Sequence, residues 1–407
     1  MAISHEAFAK KMTKLLLDAG FDQGLRYNAE RFALVGDKSG ELYLAGAHQV
    51  YQQASFWKRG AVLKRYARSM VSSAGSSIPE AYDAARGNLV PVIRDGAYLD
   101  AAQLLAKTSE RTENDGPPPQ FLPLAGSLCY GLAYDTPQAL GMFSAQRLVD
   151  WGVTFDDAMK SARYNLSVRS RDPMTQVAPG LFMAPWQDSN AAARLLLTEL
   201  LARIPVKGDL IAAVPGRDYL FVAGSDDPAA LGAMVHAIEK AITQPKANRP
   251  ELLRLQGTAW EPFELPVSHP LASRHREILR QFIGSDYAQQ KQLMEQLHAK
   301  RGIDVFVASY QALQLRSGER YSFCVWAPCV SLLPRTELVA ILDADAPPED
   351  MTKAALVKWE DAVEVVGHLM TEQPEYRCER YLVQKSPGER DMIELRKRAL
   401  SFEDVER

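Results

Sequence analysis

Asp343 and Asp345, separated by Ala344, are the side chains of this sequence best placed for catalysis. They close an apolar run, Glu337–Asp343, that reads as a strand, and Glu349 and Asp350 follow closely. If the strand continues, alternation puts both carboxylates on one side. A carboxylate pair past a strand end can hold Mg²⁺ or Mn²⁺ for hydrolysis or group transfer. The competing reading is a solvated acidic loop in which Asp350 caps the next helix. No lysine, histidine or further acid stands at a spacing diagnostic of the metal.

Other chemistry-bearing residue types are scattered. His269 and His275 share a loop and helix start, yet no HExxH or paired-histidine spacing for zinc exists. His236 and His368 fall within helical patterns as structural histidines. Cys324 and Cys329 flank Trp326-Ala327-Pro328 without the second pair of a zinc site, and read as a buried thiol pair. Arg94-Asp95 and Arg217-Asp218 each follow a strand and together suggest a polar rim at one sheet end, where loop tips carry binding residues. Exposed turn chemistry explains the same four residues. A helix over 47–73 carries Lys58, Arg59, Lys64, Arg65 and Arg68, a face for an acidic partner or simply a solvated one. Tyr321, Phe323 and Trp326 mark either core or an exposed strand edge.

A chain of 407 residues exceeds one ordinary core, which predicts two or three modules. A net charge of -3 supplies no global field for nucleic acid or an anionic membrane. The N-terminus shows no basic segment leading into an apolar run, and the uncharged stretch 116–134 is broken by Gly and Pro. Four cysteines at no framework spacing suit a reducing cytoplasm.

The elements that position these residues read as repeated rounds of antiparallel strands and a covering helix. Ser4 caps a first helix with Phe8, Met12, Leu15 and Leu16 on one face, followed by a meander at 25–28, 32–36 and 41–45. A strand at 89–94 precedes the linker 113–119, with its three prolines. Strands at 128–134 and 140–144 lead to a helix from Thr154, with Asp157 completing a capping pattern. Asp188 or Ser189 caps a predicted helix with Ala193, Leu196, Leu197, Leu200 and Ile204 on one face. Strand 210–214 is apolar on both faces and therefore central. Pro215-Gly216 fits a type II turn, and Asp227-Pro228 opens another helix. Beyond residue 248 the pattern predicts a strand at 258–265 and a helical region 270–300 interrupted near Gly284-Ser285. Strands at 304–313, 320–325 and 337–343, a helix at 352–370, a strand at 376–384 and a last helix at 389–401 follow. The fold class is α+β, with antiparallel sheets each covered by helices. The modules are 1–115, 116–248 and 249–407.

Residues 89–99 (LVPVIRDGAYL), 130–166 and 188–227 resemble successive segments of the YtpQ-like bacterial family of unknown function, over about residues 85–240 and more loosely 1–85. The resemblance rests on order and spacing, such as a helix ending Asn165-Leu166 and a strand ending Val214-Pro215. It implies a bacterial cytoplasmic protein, with 249–407 as an added domain, and it implies no activity or site residue. The αβββα order of the first block is also similar to secretion-chaperone folds. Two functional expectations remain. One is a non-enzymatic protein-interaction module of adaptor, immunity or effector-handling type, with a protein partner, no cofactor, no nucleic acid and no membrane. The other is a metal-dependent hydrolase or transferase using Asp343 and Asp345.

Overall fold

The computed structural model describes residues 78–108, 117–136, 140–244, 247–343 and 354–400, and in the N-terminal block 3–21, 24–29, 32–36, 40–44, 47–48, 51–52, 54, 59–64 and 66–67. Helix α1 (His5–Asp18) starts where predicted, because the Ser4 hydroxyl accepts the Ala7 N–H at 3.2 Å. Its Phe8, Met12 and Leu16 share a core with the meander β1 (Arg26–Asn28), β2 (Ala33–Gly36) and β3 (Gly40–Tyr43).

The central block begins with β4 (Leu89–Asp95), which runs without a loop into α2 (Gly96–Thr108), a helix the periodicity did not reveal. Strand β4 pairs antiparallel with β6 (Leu128–Asp135), whose other neighbours are β5 (Phe121–Ala125) and β7 (Leu140–Met142). Helix α3 (Phe155–Val168), capped by Thr154, sets Ala158, Met159, Ala162 and Leu166 in one core with Leu89 and Ile93 of β4.

A second, fully antiparallel sheet is built from β8 (Thr175–Ala178), β9 (Leu181–Met183), β10 (Leu210–Gly216), β11 (Tyr219–Gly224), β12 (Leu252–Gln256) and β13 (Ala259–Phe263), in the order β13-β12-β10-β11-β9-β8. Strand β10 is central, as its apolar run requires. Ile211 and Ala213 face α4 (Pro228–Ala241), while Ala212 and Val214 enter the core shared with β4 and α3. The boundary expected at 248/249 falls inside this sheet, which draws β12 and β13 from beyond it.

Two local expectations fail here. Residues 188–204 do not form one capped helix: a 3-10 segment, Ala191–Leu196, is followed by a single α-turn, Thr198–Leu201. At the centre of this segment is Arg194, whose fully buried guanidinium pairs with Asp188 at 2.7 Å and donates to the Asn190 carbonyl at 3.1 Å. The residue expected to cap a helix instead neutralises a charge. Pro215-Gly216 is likewise not the turn. Both belong to β10, and Gly216 pairs with Tyr219, leaving Arg217-Asp218 as a two-residue hairpin loop.

The C-terminal block opens on α5 (Ala272–Arg301), continuous through Gly284-Ser285, where the glycine faces the Tyr310 ring. Leu293, Met294 and Leu297 of α5 pack on Ala101 and Leu104 of α2. There follow β14 (Phe306–Val307), β15 (Gln311–Gln314), β16 (Arg320–Trp326), β17 (Ser331–Pro334), β18 (Leu338–Ile341), β19 (Ala355–Lys358), α6 (Trp359–Val366), β20 (Met370–Glu372), β21 (Arg380–Val383) and α7 (Glu389–Arg398). They form two four-stranded sheets, β14-β17-β21-β20 and β15-β16-β18-β19, with parallel pairing only at β14/β17 and β16/β18 among the described residues. The helix expected at 352–370 begins only at Trp359. Before it, Ala355 and Val357 face one core and Leu356 another, which is the period of a strand. The architecture is α+β with several mainly antiparallel sheets.

Candidate functional site

The four rim residues lie at two strand ends, β4 and the β10–β11 hairpin, and only one pair is a loop tip. Arg217-Asp218 is the hairpin loop, with Asp218 exposed. Arg94 and Asp95 are each 6% exposed, because β4 passes directly into α2 and the segment at Arg249–Glu251 packs against its end. Adjacent residues of a strand point to opposite sides, so Arg94 and Asp95 serve two different environments.

On the Asp95 side lies a buried carboxylate cluster around one guanidinium. Asp95 accepts the Ala97 N–H at 2.9 Å, the Ser127 hydroxyl at 3.1 Å and the Arg249 backbone N–H at 2.8 Å. Arg249 reaches Asp286 of α5 at 2.8 Å and Glu251 at 3.5 Å, and Glu251 accepts the Ser127 N–H at 2.7 Å. Burial opposes the Arg249 charge, yet Asp95, Asp286 and Glu251 together hold it firmly protonated. One cation cannot neutralise three acids. Burial, reinforced by the neighbouring Asp95 and Glu251, therefore pushes Asp286 up to about 6 against the pull of Arg249.

Asp100 of α2 anchors a second set of contacts with the C-terminal block. It accepts the N–H groups of Arg377 and Cys378, at 2.8 and 2.7 Å, and the Gln290 amide at 3.0 Å. Burial lifts its pKa to about 6 despite those donors. Gln290 in turn accepts from Arg380, which is fully buried and donates to the Ala308 and Leu332 carbonyls. Burial raises the Cys378 thiol, so it is a poor nucleophile.

On the Arg94 side the chemistry reverses. Arg94 donates to the Ile93 carbonyl at 2.7 Å and makes no ion pair among the described residues. Burial, and then the charge of Arg217, push it down to about 10. Arg217 lies over the ring of Tyr98, in the first turn of α2, at 5.5 Å.

A third polar region is open to solvent. Two adjoining clefts of about 590 and 450 Å³ run between α5 and the β15–β16 hairpin and share Arg276, Arg280, Tyr321 and Glu337. Arg280 is paired with Glu337 at 3.0 Å, and Arg320 with Glu277 at 3.2 Å. The exposed Arg276 and Lys358 make no ion pair among the described residues.

The remaining candidates resolve into structural roles or fall outside the described residues. Asp343 is paired with Arg396 of α7, and Asp345, Glu349 and Asp350 lie outside the described residues. Among the described residues no group of three or more His, Cys, Asp and Glu side chains could hold a metal ion. His269 and His275 lie 2.9 Å from the carbonyls of Pro228 and Pro250, tying the start of α5 to the central block. His236 bonds Glu239 on the surface, at 3.2 Å, and His368 sits in the 3-10 turn after α6. Cys324 is buried but Cys329 is exposed, so they are not a buried pair. Trp326 is fully buried on a strand paired on both sides, which settles its strand as interior. Of the basic 47–73 face, Arg59 and Lys64 are described; Arg59 lies 5.0 Å over the Tyr51 ring.

Sequence reasoning missed Arg249, Asp286, Asp100, Gln290 and Arg380. Their only local signal is a charged or amide residue in an otherwise apolar stripe, as Gln290 is between Tyr287 and Leu293 in α5. Among the described residues, no helix is long and apolar enough to cross a membrane. Comparison with protein-family models, with curated proteins and with solved structures gives no match.

Proposed function

We propose that the chain is a non-enzymatic protein-interaction module, of the adaptor or effector-handling kind, whose recognition surface is the cleft along α5. The observation that carries this reading is the composition of that cleft. Arginines 274, 276, 280, 320 and 335 and tyrosines 310 and 321 line it, and Arg and Tyr are the residue types that dominate protein-binding hot spots. The ion pairs along its walls hold these side chains in place, while Arg276 and Lys358 remain available to a partner. Strand β15, at the margin of its sheet, adds a free edge for strand pairing among the described residues. By contrast, the buried groups around Arg249 and Asp100 are bonded within the fold and join the blocks.

The test is affinity capture from the native host with the full chain and with Arg276→Glu/Lys358→Glu. Point variants are required because removing 249–407 would cut the six-stranded sheet. A specific partner retained by the parent and lost by the double variant, with unchanged circular dichroism, is the expected outcome. An identical captured set from both proteins would sink the reading.

A further inference from the structure

A cleft of about 510 Å³ opens between the last turns of α3 and the α-turn Thr198–Leu201, and no residue of α5 lines it. Small-molecule sites have volumes of about 300–1,000 Å³. Three arginines stand around the cleft: Arg163 on α3, Arg171 just after that helix and Arg203 just after the α-turn. All three are exposed, and their side chains make no ion pair or hydrogen bond among the described residues. Arg169, two positions before Arg171, is by contrast paired with Asp135. A helix C-terminus attracts cations for its own sake, and Arg169 fills that role for α3. Helix α3 gives no such reason for Arg203, which a different element brings to the same cleft.

The floor of the cleft is firm. Ser170 is 3% exposed, and its hydroxyl donates to the Leu166 carbonyl at 2.7 Å and accepts from the buried Arg194 at 2.9 Å. The chain entering Arg171 is thereby tied to the 3-10 segment that leads to Arg203. Leu197 and Leu200 supply apolar surface, and Tyr164 stands at the edge, 69% exposed, a large ring that the core does not use. Glu199 adds one carboxylate, four positions before Arg203 and not paired with it among the described residues.

We infer that this cleft is a binding site for a nucleoside phosphate. Three guanidinium groups against one carboxylate leave two positive charges, which match a phosphate monoester near neutral pH. Guanidinium forks take its oxygens two at a time. The exposed Tyr164 ring and the leucines suit a flat base, which stacks on an aromatic face whatever its sequence identity. Glu199 only accepts hydrogen bonds when ionised, so it calls for a hydroxyl or amino donor on the ligand. Sugar and base carry such donors, and a bare phosphate ion does not use the ring. The site is separate from the α5 cleft and does not rest on the function proposed for it.

The test is isothermal calorimetry of the full chain at constant ionic strength. The probes are the monophosphates of adenosine, guanosine, cytidine and uridine, with inorganic phosphate alongside. Saturable binding of at least one nucleotide, tighter than that of phosphate, is the expected result. Arg171→Gln/Arg203→Gln should weaken it roughly tenfold or more, and Tyr164→Leu should weaken the nucleotide while leaving phosphate unchanged. Lys240→Gln, an exposed cation on α4, is the control and should bind as the parent does. The substituted side chains are exposed, so the core is untouched, and urea midpoints confirm that each variant is folded. Absence of saturable binding of all four nucleotides by the parent overturns the assignment, as does equal binding by the double arginine variant. Phosphate bound as tightly as the best nucleotide, or a nucleotide indifferent to Tyr164→Leu, overturns it too.

Discussion

The Asp95 carboxylate accepts the backbone N–H of Arg249 at 2.8 Å, joining positions 154 residues apart. The same side chain caps the first turn of α2 and holds Ser127, so one carboxylate fixes the end of β4, the start of α2 and the entry to β12. Asp95→Ala leaves three donors unsatisfied or wet and is expected to cost about 2–4 kcal/mol. Asp95→Asn retains some of the acceptors and should cost less. Urea denaturation of both variants checks this; equal, small losses would show that the hub is not structural.

The shared cation predicts an unusual pH response. Asp286 is raised to about 6 by burial, so the folded state holds a proton between pH 4 and 6 that the unfolded chain has released. Its contribution therefore falls as pH rises through that window. Asn at this position keeps an acceptor for Arg249 and cannot ionise. The stability of Asp286→Asn relative to the parent should rise by roughly 2–3 kcal/mol from pH 4 to 7 and then level off. A difference independent of pH would contradict the proposed excess of negative charge.

Arg194 and Asp188 form a pair in which one partner is fully buried. Asp188→Ala strands the guanidinium, already stacked 4.5 Å from the Trp186 ring, and is expected to cost about 3–5 kcal/mol. Replacing both by apolar residues should restore part of that loss. A double-mutant cycle that finds the two effects additive would remove the pair from the account.

Gly224 closes β11 against the Lys207 backbone. A Cβ there would lie 2.1 Å from the Lys207 carbonyl oxygen, and neither backbone can yield without breaking the β10–β11 register. Gly224→Ala should destabilise by about 3 kcal/mol or more, while Gly257→Ala, strained at φ +61° but in open space, should cost about 1 kcal/mol. Thermal midpoints separate the two.

Local signals were legible wherever one residue decides the outcome nearby. Ser4, Thr154 and Asp227 cap the helices they were expected to cap, and the two-sided apolar run of β10 marked it as central. The reading failed where a distant partner overrides the local pattern. The leucines at 196, 197 and 200 have helical spacing, but the segment that buries Arg194 against Asp188 is a 3-10 turn. Pro215-Gly216 looks like a turn, but Asn248 donates to the Pro215 carbonyl and holds it in the strand. Of the rim, the sequence located Arg94 and Arg217 correctly at strand ends. It could not show that Asp95 is buried, because the segment packed against that side of β4's end begins at Arg249.

The six-stranded sheet also has a consequence for synthesis. When residue 248 has left the ribosome, β10 has its β11 neighbour but an empty side toward β12, and Asp95 has not yet met Arg249. The nascent chain carries an unpaired interior strand until Phe263 emerges. It is thus most prone to cross-pair with a neighbouring nascent chain during those few residues of elongation. A chain arrested at 248 should be captured by chaperones and cleaved readily, and one arrested with residues to 263 clear of the exit tunnel should not.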